Sequence, residues 1–399
     1  MKIDSLKANI SQRLRDYLHN RQTEMTNLLA QLVLAESPSV VAESQHPVLN
    51  LLQNELKQRN YRVRRIPGQK TGGQLFAVPG DRTKNQSIQI LLGHCDTVWP
   101  LNTLKKMPLR QKQGKMYGPG IYDMKAGLVQ VIFALEALRA FEIQPEVAPV
   151  IFINSDEEIG SHESKAHIQR LAKVADRVFV MEPSLGPSGK LKTRRKGLGE
   201  FTIHIIGKAA HAGLEPEKGA SAILELSFAI QQLFALNDPE RGVTVNVGNI
   251  DGGIRPNVIA PSSKAVVDVR VLHREDADRI EAKIRSLQPS TPGTKIIVEG
   301  GFDRLPLEKT PGNQQLWERA QQAASELGME IDEATAGGAS DGNFTSLYAP
   351  TLDGMGAVGD AAHAPGEFVY LDQMVERSAL LSRLLLESSI KNIGECIRE

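Results

Sequence analysis

The stretch Ile88–Pro100, IQILLGHCDTVWP, passes from a mostly apolar segment into polar residues within two positions. Ile88 to Leu92 has the length and branched composition of a buried strand, and Gly93-His94-Cys95-Asp96 is where it breaks. The same pattern recurs twice. Val150 to Ile153 breaks into Asn154-Ser155-Asp156-Glu157-Glu158, and Val178 to Met181 breaks into Glu182-Pro183-Ser184. Between these strands, Ala126 to Ala140 and Ser161 to Lys173 have the length and composition of helices. Buried strands alternating with helices predict an α/β fold with a central mixed sheet, whose ligands gather beyond the carboxyl ends of the strands. All three polar breaks stand in that position.

Working outward, Leu6, Ile10, Leu14 and Leu18 recur every four residues, and Met25 to Leu34 is a second apolar run; both read as packing helices. The texture changes near Leu198. Phe201–Ile206, Val243–Ile250 and Lys264–Val271 read as strands, and Ala220–Leu236 and Asp276–Leu287 as helices. That order predicts a smaller α+β unit with an antiparallel sheet, inserted into the first domain. Helix-like segments resume at Asn313–Leu327 and Asp372–Glu387, separated by the Gly-rich turn Ala336-Gly337-Gly338-Ala339-Ser340-Asp341-Gly342. The expected organisation is one discontinuous α/β domain, residues 1–195 and 307–399, interrupted by residues 196–306. No internal repeat or low-complexity tract is present.

Composition narrows the function. The 399 residues carry 47 Lys+Arg against 47 Asp+Glu, which argues against a protein that holds nucleic acid. Two cysteines, Cys95 and Cys396, are too few for a disulfide framework or a cysteine zinc site. Any metal must therefore be held by the nine His and the carboxylates. The charged opening residues lack a signal-peptide core, and nowhere do about 18 apolar residues run together, so the expectation is a cytoplasmic protein with no membrane segment.

Several residues carry possible chemistry, each with a plainer alternative. Asp96 stands two residues from His94, where a carboxylate orients a metal-bound imidazole; the alternative is a loop His beside a turn Asp. Asp123 lies in the turn Gly118-Pro119-Gly120-Ile121-Tyr122-Asp123 before a helix, where it also suits an N-cap. Of the adjacent acids Glu157 and Glu158, one can bind a metal while the other takes a proton; adjacent acids also occur in ordinary surface turns. Glu182 follows a strand, and His363 lies in the loop Gly359–Glu367. Together, His94, Asp123, Glu158, Glu182 and His363 offer nitrogen and oxygen donors from separate loops. Such donors suit zinc, cobalt or manganese, and their number exceeds what one open catalytic zinc needs. Two metals sharing a carboxylate would use them.

GHCDTVWP, GPGIYDMKAG, NSDEEIGS, MEPS, GKAAHAG, RPNVIA and GGASDGN occur in this order. The series resembles the motifs of the di-zinc carboxypeptidase and deacylase family, which includes glutamate carboxypeptidase, aminoacylase, acetylornithine deacetylase and succinyl-diaminopimelate desuccinylase. The resemblance covers about residues 90 to 370. It implies two zinc ions bridged by Asp123, with His94 and Glu182 on one and Glu158 and His363 on the other. It also implies that Asp96 orients His94 and that Glu157 is the general base for attack by a zinc-bridged hydroxide on an amide. The inserted segment would be a lid and dimerisation domain in a homodimer. His211 would help stabilise the oxyanion in a neighbouring subunit's site, and Asn257 and Arg270 would contact the substrate carboxylate.

A lining of Arg270, Arg304, Gly337 and Gly338 suits such a carboxylate, since arginine binds it through a bidentate fork. The leading expectation is a carboxypeptidase releasing a C-terminal amino acid, glutamate among the candidates, from a small peptide or acylated amino acid. An N-acyl-amino-acid deacylase is the alternative within the same chemistry, and an inactive peptide-binding relative the alternative outside it. Two departures from the family pattern stand out: Lys125 is followed by Ala126 where Gly is commoner, and Pro365-Gly366 precede Glu367 in the His363 motif.

Overall fold

The computed structural model describes residues 2–390, with side chains from Asn9 onward; the side chain of Leu6 and all of Cys396 lie outside the described residues. The chain divides into two compact units. One comprises residues 1–193, 309–334 and 340–399, the other residues 194–308 and 335–339.

The first unit is built on a six-stranded sheet in the order Tyr61–Ile66, Gln74–Pro79, Ala148–Asn154, Ile88–His94, Arg177–Val180 and Thr351–Leu352. The last four strands run parallel to one another and Gln74–Pro79 is antiparallel to both of its neighbours, so the sheet is mixed, as the sequence predicts. Period-two alternation sorts its side chains into two layers. Leu91, Ile151, Phe179 and Met181 pack with the helices Gln22–Leu34, Ala126–Ala140 and Leu371–Leu384. Ile90, Leu92, Val150, Phe152, Val178 and Val180 pack on the other face with Ile168 of the helix Lys165–Val174 and with Phe344. Burial of every residue in Ile88–His94 and Ala148–Asn154 follows from this double cover. Cys95 points into the first of these layers, and burial pushes its thiol up to about 12.

The edge strand Tyr61–Ile66 was not legible as an apolar run. Tyr61–Ile66 reads YRVRRI, with Arg62 and Arg64 exposed on alternate positions. The helix expected from Ser161 begins only at Lys165, because Asp156 draws the preceding residues into a turn. Its backbone oxygen accepts from the N–H of Ser161 (2.7 Å), and its carboxylate accepts from the N–H groups of Glu163 (2.7 Å) and Ser164 (3.1 Å).

The second unit is a four-stranded antiparallel sheet in the order Thr244–Gly252, Ser262–Val271, Gly197–Ile206 and Lys295–Arg304. The helices Ala222–Phe234 and Arg274–Arg285 bury Leu226, Leu233, Ile280 and Ile284 against Phe201, Ile203, Ile205, Val267 and Val269. The strand Lys295–Arg304, absent from the sequence reading, is mostly half-exposed and carries Glu299-Gly300-Gly301, which hides its periodicity. Among the described residues no helix is long and apolar enough to cross a membrane.

Candidate metal centre

Strand register brings the polar breaks together. Ile88–His94 pairs in parallel with its neighbours so that His94 stands opposite Asn154 and Leu92 opposite Val180. Glu157 and Glu158 follow Asn154 in a single 3-10 turn, and Glu182 follows Val180 by two residues. All three acids therefore emerge beside His94 at the carboxyl edge of the sheet.

Asp123 and His363 arrive by another route. The short strands Lys115–Tyr117 and Phe368–Tyr370 pair antiparallel, Phe368 opposite Tyr117. This lays the loop holding His363 against the tight turn Ile121–Lys125, which holds Asp123. The two oxygens of Asp123 then face different imidazoles. Oδ1 lies 3.2 Å from His94 Nε2, and Oδ2 lies 3.3 Å from His363 Nε2. His94 Nε2 is also 3.4 Å from Glu182 Oε1, and His363 Nε2 is 3.1 Å from Glu158 Oε1. The result is two half-clusters joined at one carboxylate: His94 with Glu182, and His363 with Glu158. Glu157, buried, has a carboxylate oxygen within 4.8 Å of donor atoms of both His94 and Glu182.

Asp96 binds two parts of this arrangement. His94 Nδ1 lies 3.0 Å from the backbone oxygen of Asp96 and 3.4 Å from its Oδ1, which leaves Nε2 facing the cluster. The same carboxylate accepts from the N–H groups of Glu157 (3.3 Å) and Glu158 (3.2 Å) and from Ser39 Oγ (2.7 Å).

The electrostatics follow from crowding acids around two imidazoles. Burial alone would lower the pKa of His94, but contacts with Asp123, Asp96 and Glu182 raise it well above its ordinary value. Hydrogen bonds to Asp123 and Glu158 push His363 up to about 10. Burial raises the Asp123 carboxyl, yet the imidazoles of His363 and His94 outweigh it and hold the group far below the usual range. Glu158 moves the other way, to about 7, through burial and the Asp123 charge beside it. The surplus of negative charge draws protons onto both rings, and a divalent cation competes for the same lone pairs. Nitrogen and oxygen donors without thiolate fit zinc, cobalt or manganese.

The supporting residues carried little signal in the sequence. Glu367 is fully buried and accepts from the N–H groups of Gly120, Tyr122 and Asp123 and from the Trp99 indole. Asp341, in the Gly-rich motif, accepts from Asn154 Nδ2 (2.5 Å) and from Ser161 Oγ, bracketing the Glu157–Glu158 turn. Gln45 ties Ser155 O (3.0 Å) to the N–H of Gly72 (2.6 Å). Such residues meet backbone and side-chain groups distant in sequence, so no spacing reveals them.

The remaining expected residues lie in the second unit. His211 is exposed, and its Nδ1 accepts from the N–H groups of Gly213 and Leu214, both at 3.2 Å. The exposed Asn257 is its neighbour: His211 bridges Val258, and Asn257 O accepts from Ala212 N–H. Arg270 is already engaged, its Nε 3.0 Å from Asp268 Oδ1 and its guanidinium donating to Gly337 O (3.0 Å). Gly338 O accepts from Arg195 (3.1 Å), and both glycines are exposed. Arg304, opposite Leu198 at the end of its strand, is 5% exposed.

Residues 90–387 match Peptidase family M20/M25/M40. The chain is 29% identical over 379 residues to carboxypeptidase G2 of Pseudomonas sp. (strain RS-16), covering 92% of this chain and 90% of that protein. It is 26% identical to acetylornithine deacetylase of Proteus mirabilis (strain HI4320), covering 88% and 94%. Its fold matches that of aminopeptidase PepT from Bacillus cereus with a TM-score of 0.77 at 21% identity, covering 92% and 98%. The ordered donor set and a match across most of its length lead to one conclusion: the chain belongs to Peptidase family M20/M25/M40, a family of metal-dependent hydrolytic enzymes.

Proposed function

We propose that this metallopeptidase is a carboxypeptidase that releases a C-terminal amino acid, glutamate among the candidates, from a small peptide or acylated amino acid. The observation that carries the metal chemistry of this reading is the division of Asp123: one oxygen toward His94, which also meets Glu182, the other toward His363, which also meets Glu158. Those five residues would hold two zinc ions, with cobalt or manganese as alternatives. Bound there, zinc supplies a water whose pKa falls to about 7 and a Lewis acid for the amide oxygen.

The chain's own groups do the rest. Asp96 keeps Nε2 of His94 turned inward through Nδ1. Glu157 takes the proton of the attacking water and returns it to the leaving nitrogen. The Nδ1 of a neutral His211 is occupied as an acceptor, so its ring proton sits on Nε2, free to donate to the carbonyl oxygen as charge develops there. In this reading residues 196–306 form the lid and dimerisation domain, and His211 serves a neighbouring subunit's site. Asn257, Arg270, Arg304, Gly337 and Gly338 are the proposed contacts for the substrate carboxylate.

Carboxypeptidase G2 among the relatives favours the carboxypeptidase, while acetylornithine deacetylase and succinyl-diaminopimelate desuccinylase keep a deacylase as the second reading. The test is hydrolysis of a panel of dipeptides, folyl-glutamate and N-acetyl amino acids by zinc-loaded protein. Highest kcat/KM on a C-terminal glutamyl or peptide bond supports the proposal. Preference for N-acetyl amino acids replaces it with the deacylase, and two bound metals with no turnover indicate a peptide-binding relative.

A further inference from the structure

We infer that Glu367 is a positioning residue that sets the direction of the two Asp123 oxygens, and thereby how tightly the centre holds its metal. The inference rests on the reading of Asp123 as the shared ligand. Glu367 lies four residues after His363, at the start of the strand pairing that brings the two loops together. Its carboxylate is fully buried, and no lysine or arginine bonds to it among the described contacts. Its hydrogen bonds come from four N–H donors, and the buried Lys125 ammonium also feels its charge. Oε1 accepts from Tyr122 N–H (2.8 Å) and Asp123 N–H (3.1 Å). Oε2 accepts from Gly120 N–H (2.9 Å) and the Trp99 indole (2.8 Å).

Three of those donors are backbone groups of the turn that carries Asp123, one of them Asp123's own. The turn departs from helical geometry at Asp123 (φ −112°, ψ 97°) and Met124; Lys125 N–H still reaches Gly120 O (3.1 Å), but the N–H groups of Gly120, Tyr122 and Asp123 need acceptors from outside the turn. Glu367 supplies them. Only a carboxylate offers two oxygens that both accept and never donate. In glutamine, whichever way the amide turned, its NH2 would confront two N–H donors. The conservative replacement is thus the one that breaks the arrangement. Through this contact the His363 loop also fixes the Asp123 turn, which couples the two donors that share a half-cluster.

The test compares Glu367→Gln, Trp99→Phe and Asp123→Asn by zinc affinity in a chelator competition and by kcat and KM at saturating zinc. Folding is checked by circular dichroism. Partners that orient metal ligands are typically worth about 10- to 100-fold in metal affinity or activity. Glu367→Gln should lose zinc affinity in that range, with kcat falling more than KM rises. Trp99→Phe, which removes one donor but leaves the three backbone bonds, should stay within about twofold of wild type on the same scale. Wild-type zinc affinity in folded Glu367→Gln overturns the inference, as does an equal loss in Trp99→Phe, which would point to packing alone. If Glu367→Gln does not fold, Glu367→Asp keeps two acceptor oxygens on a shorter side chain. Weakened zinc binding there supports the assignment and unchanged binding overturns it. Asp123→Asn separates the two levels: if it retains zinc, the reading of the centre fails, whatever Glu367 does.

Discussion

Glu157 and Glu158 are adjacent, and the fold gives them different surroundings. Asp96 fixes both backbone N–H groups, yet the Glu158 carboxylate reaches His363 at 3.1 Å while that of Glu157 approaches His94 and Glu182. Glu158→Gln is therefore expected to lower zinc content, measured by metal analysis after dialysis. Glu157→Gln is expected to keep both metals and lose about 10²- to 10⁴-fold in kcat, the usual worth of a positioned acid–base. Near-normal turnover in Glu157→Gln would refute its role as base. At this scale the sequence was informative where chemistry follows a strand: His94, Glu158 and Glu182 each end an apolar run, and the run predicts the edge. It was silent on Glu367, Gln45 and the second duty of Asp96. Their partners are backbone N–H and C=O groups distant in sequence, fixed only once the sheet has assembled.

The helix Ala126–Ala140 leaves the Asp123 turn and is buried almost all round, so its position governs that turn. At its first turn the backbone passes close to the strand end that carries Glu182: a Cβ on Gly127 would lie 2.2 Å from Met181 O. The unusual Ala126 after Lys125 is thus accommodated, and Gly127 is the position that must lack a side chain. Gly127→Ala should cost about 1–3 kcal/mol, as overpacking of a filled core does. Urea unfolding measures this, and zinc retention should fall with it because Met181 precedes Glu182. Gly337→Ala is the control, since a Cβ there meets nothing within 4 Å; its effect should stay within about 0.5 kcal/mol. An unfolding midpoint for Gly127→Ala equal to the control's would rule out the close approach. The long apolar elements were legible because burial on both faces leaves an unbroken run. Tyr61–Ile66 and Lys295–Arg304 were not, since half-exposed strands interleave arginine, glutamate and glycine with their apolar residues.

Over the whole chain the charges cancel, 47 against 47, so long-range repulsion does not oppose self-association. Local distribution matters more. The inserted unit leaves large apolar side chains in solvent on one helix and beside one sheet edge: Ile223, Leu224, Phe228 and Phe234 on Ala222–Phe234, and Ile250 and Ile254 on and after Thr244–Gly252. That strand pairs on one side only within its sheet, with Ser262–Val271. An apolar helix face next to an open edge strand is a surface that a second copy can cover by the same residues, as twofold symmetry requires. Light scattering should accordingly give twice the 43.7 kDa chain mass. Phe228→Glu combined with Ile250→Glu should shift the protein to single chains, since two buried charges would face their own copies. If His211 serves a neighbouring subunit's site, those single chains keep both metals but lose kcat to the extent that His211→Ala does in the wild-type background. A wild-type enzyme active as a single chain would refute the dimer. A monomeric double variant with full kcat would show that His211 acts within its own chain or not at all.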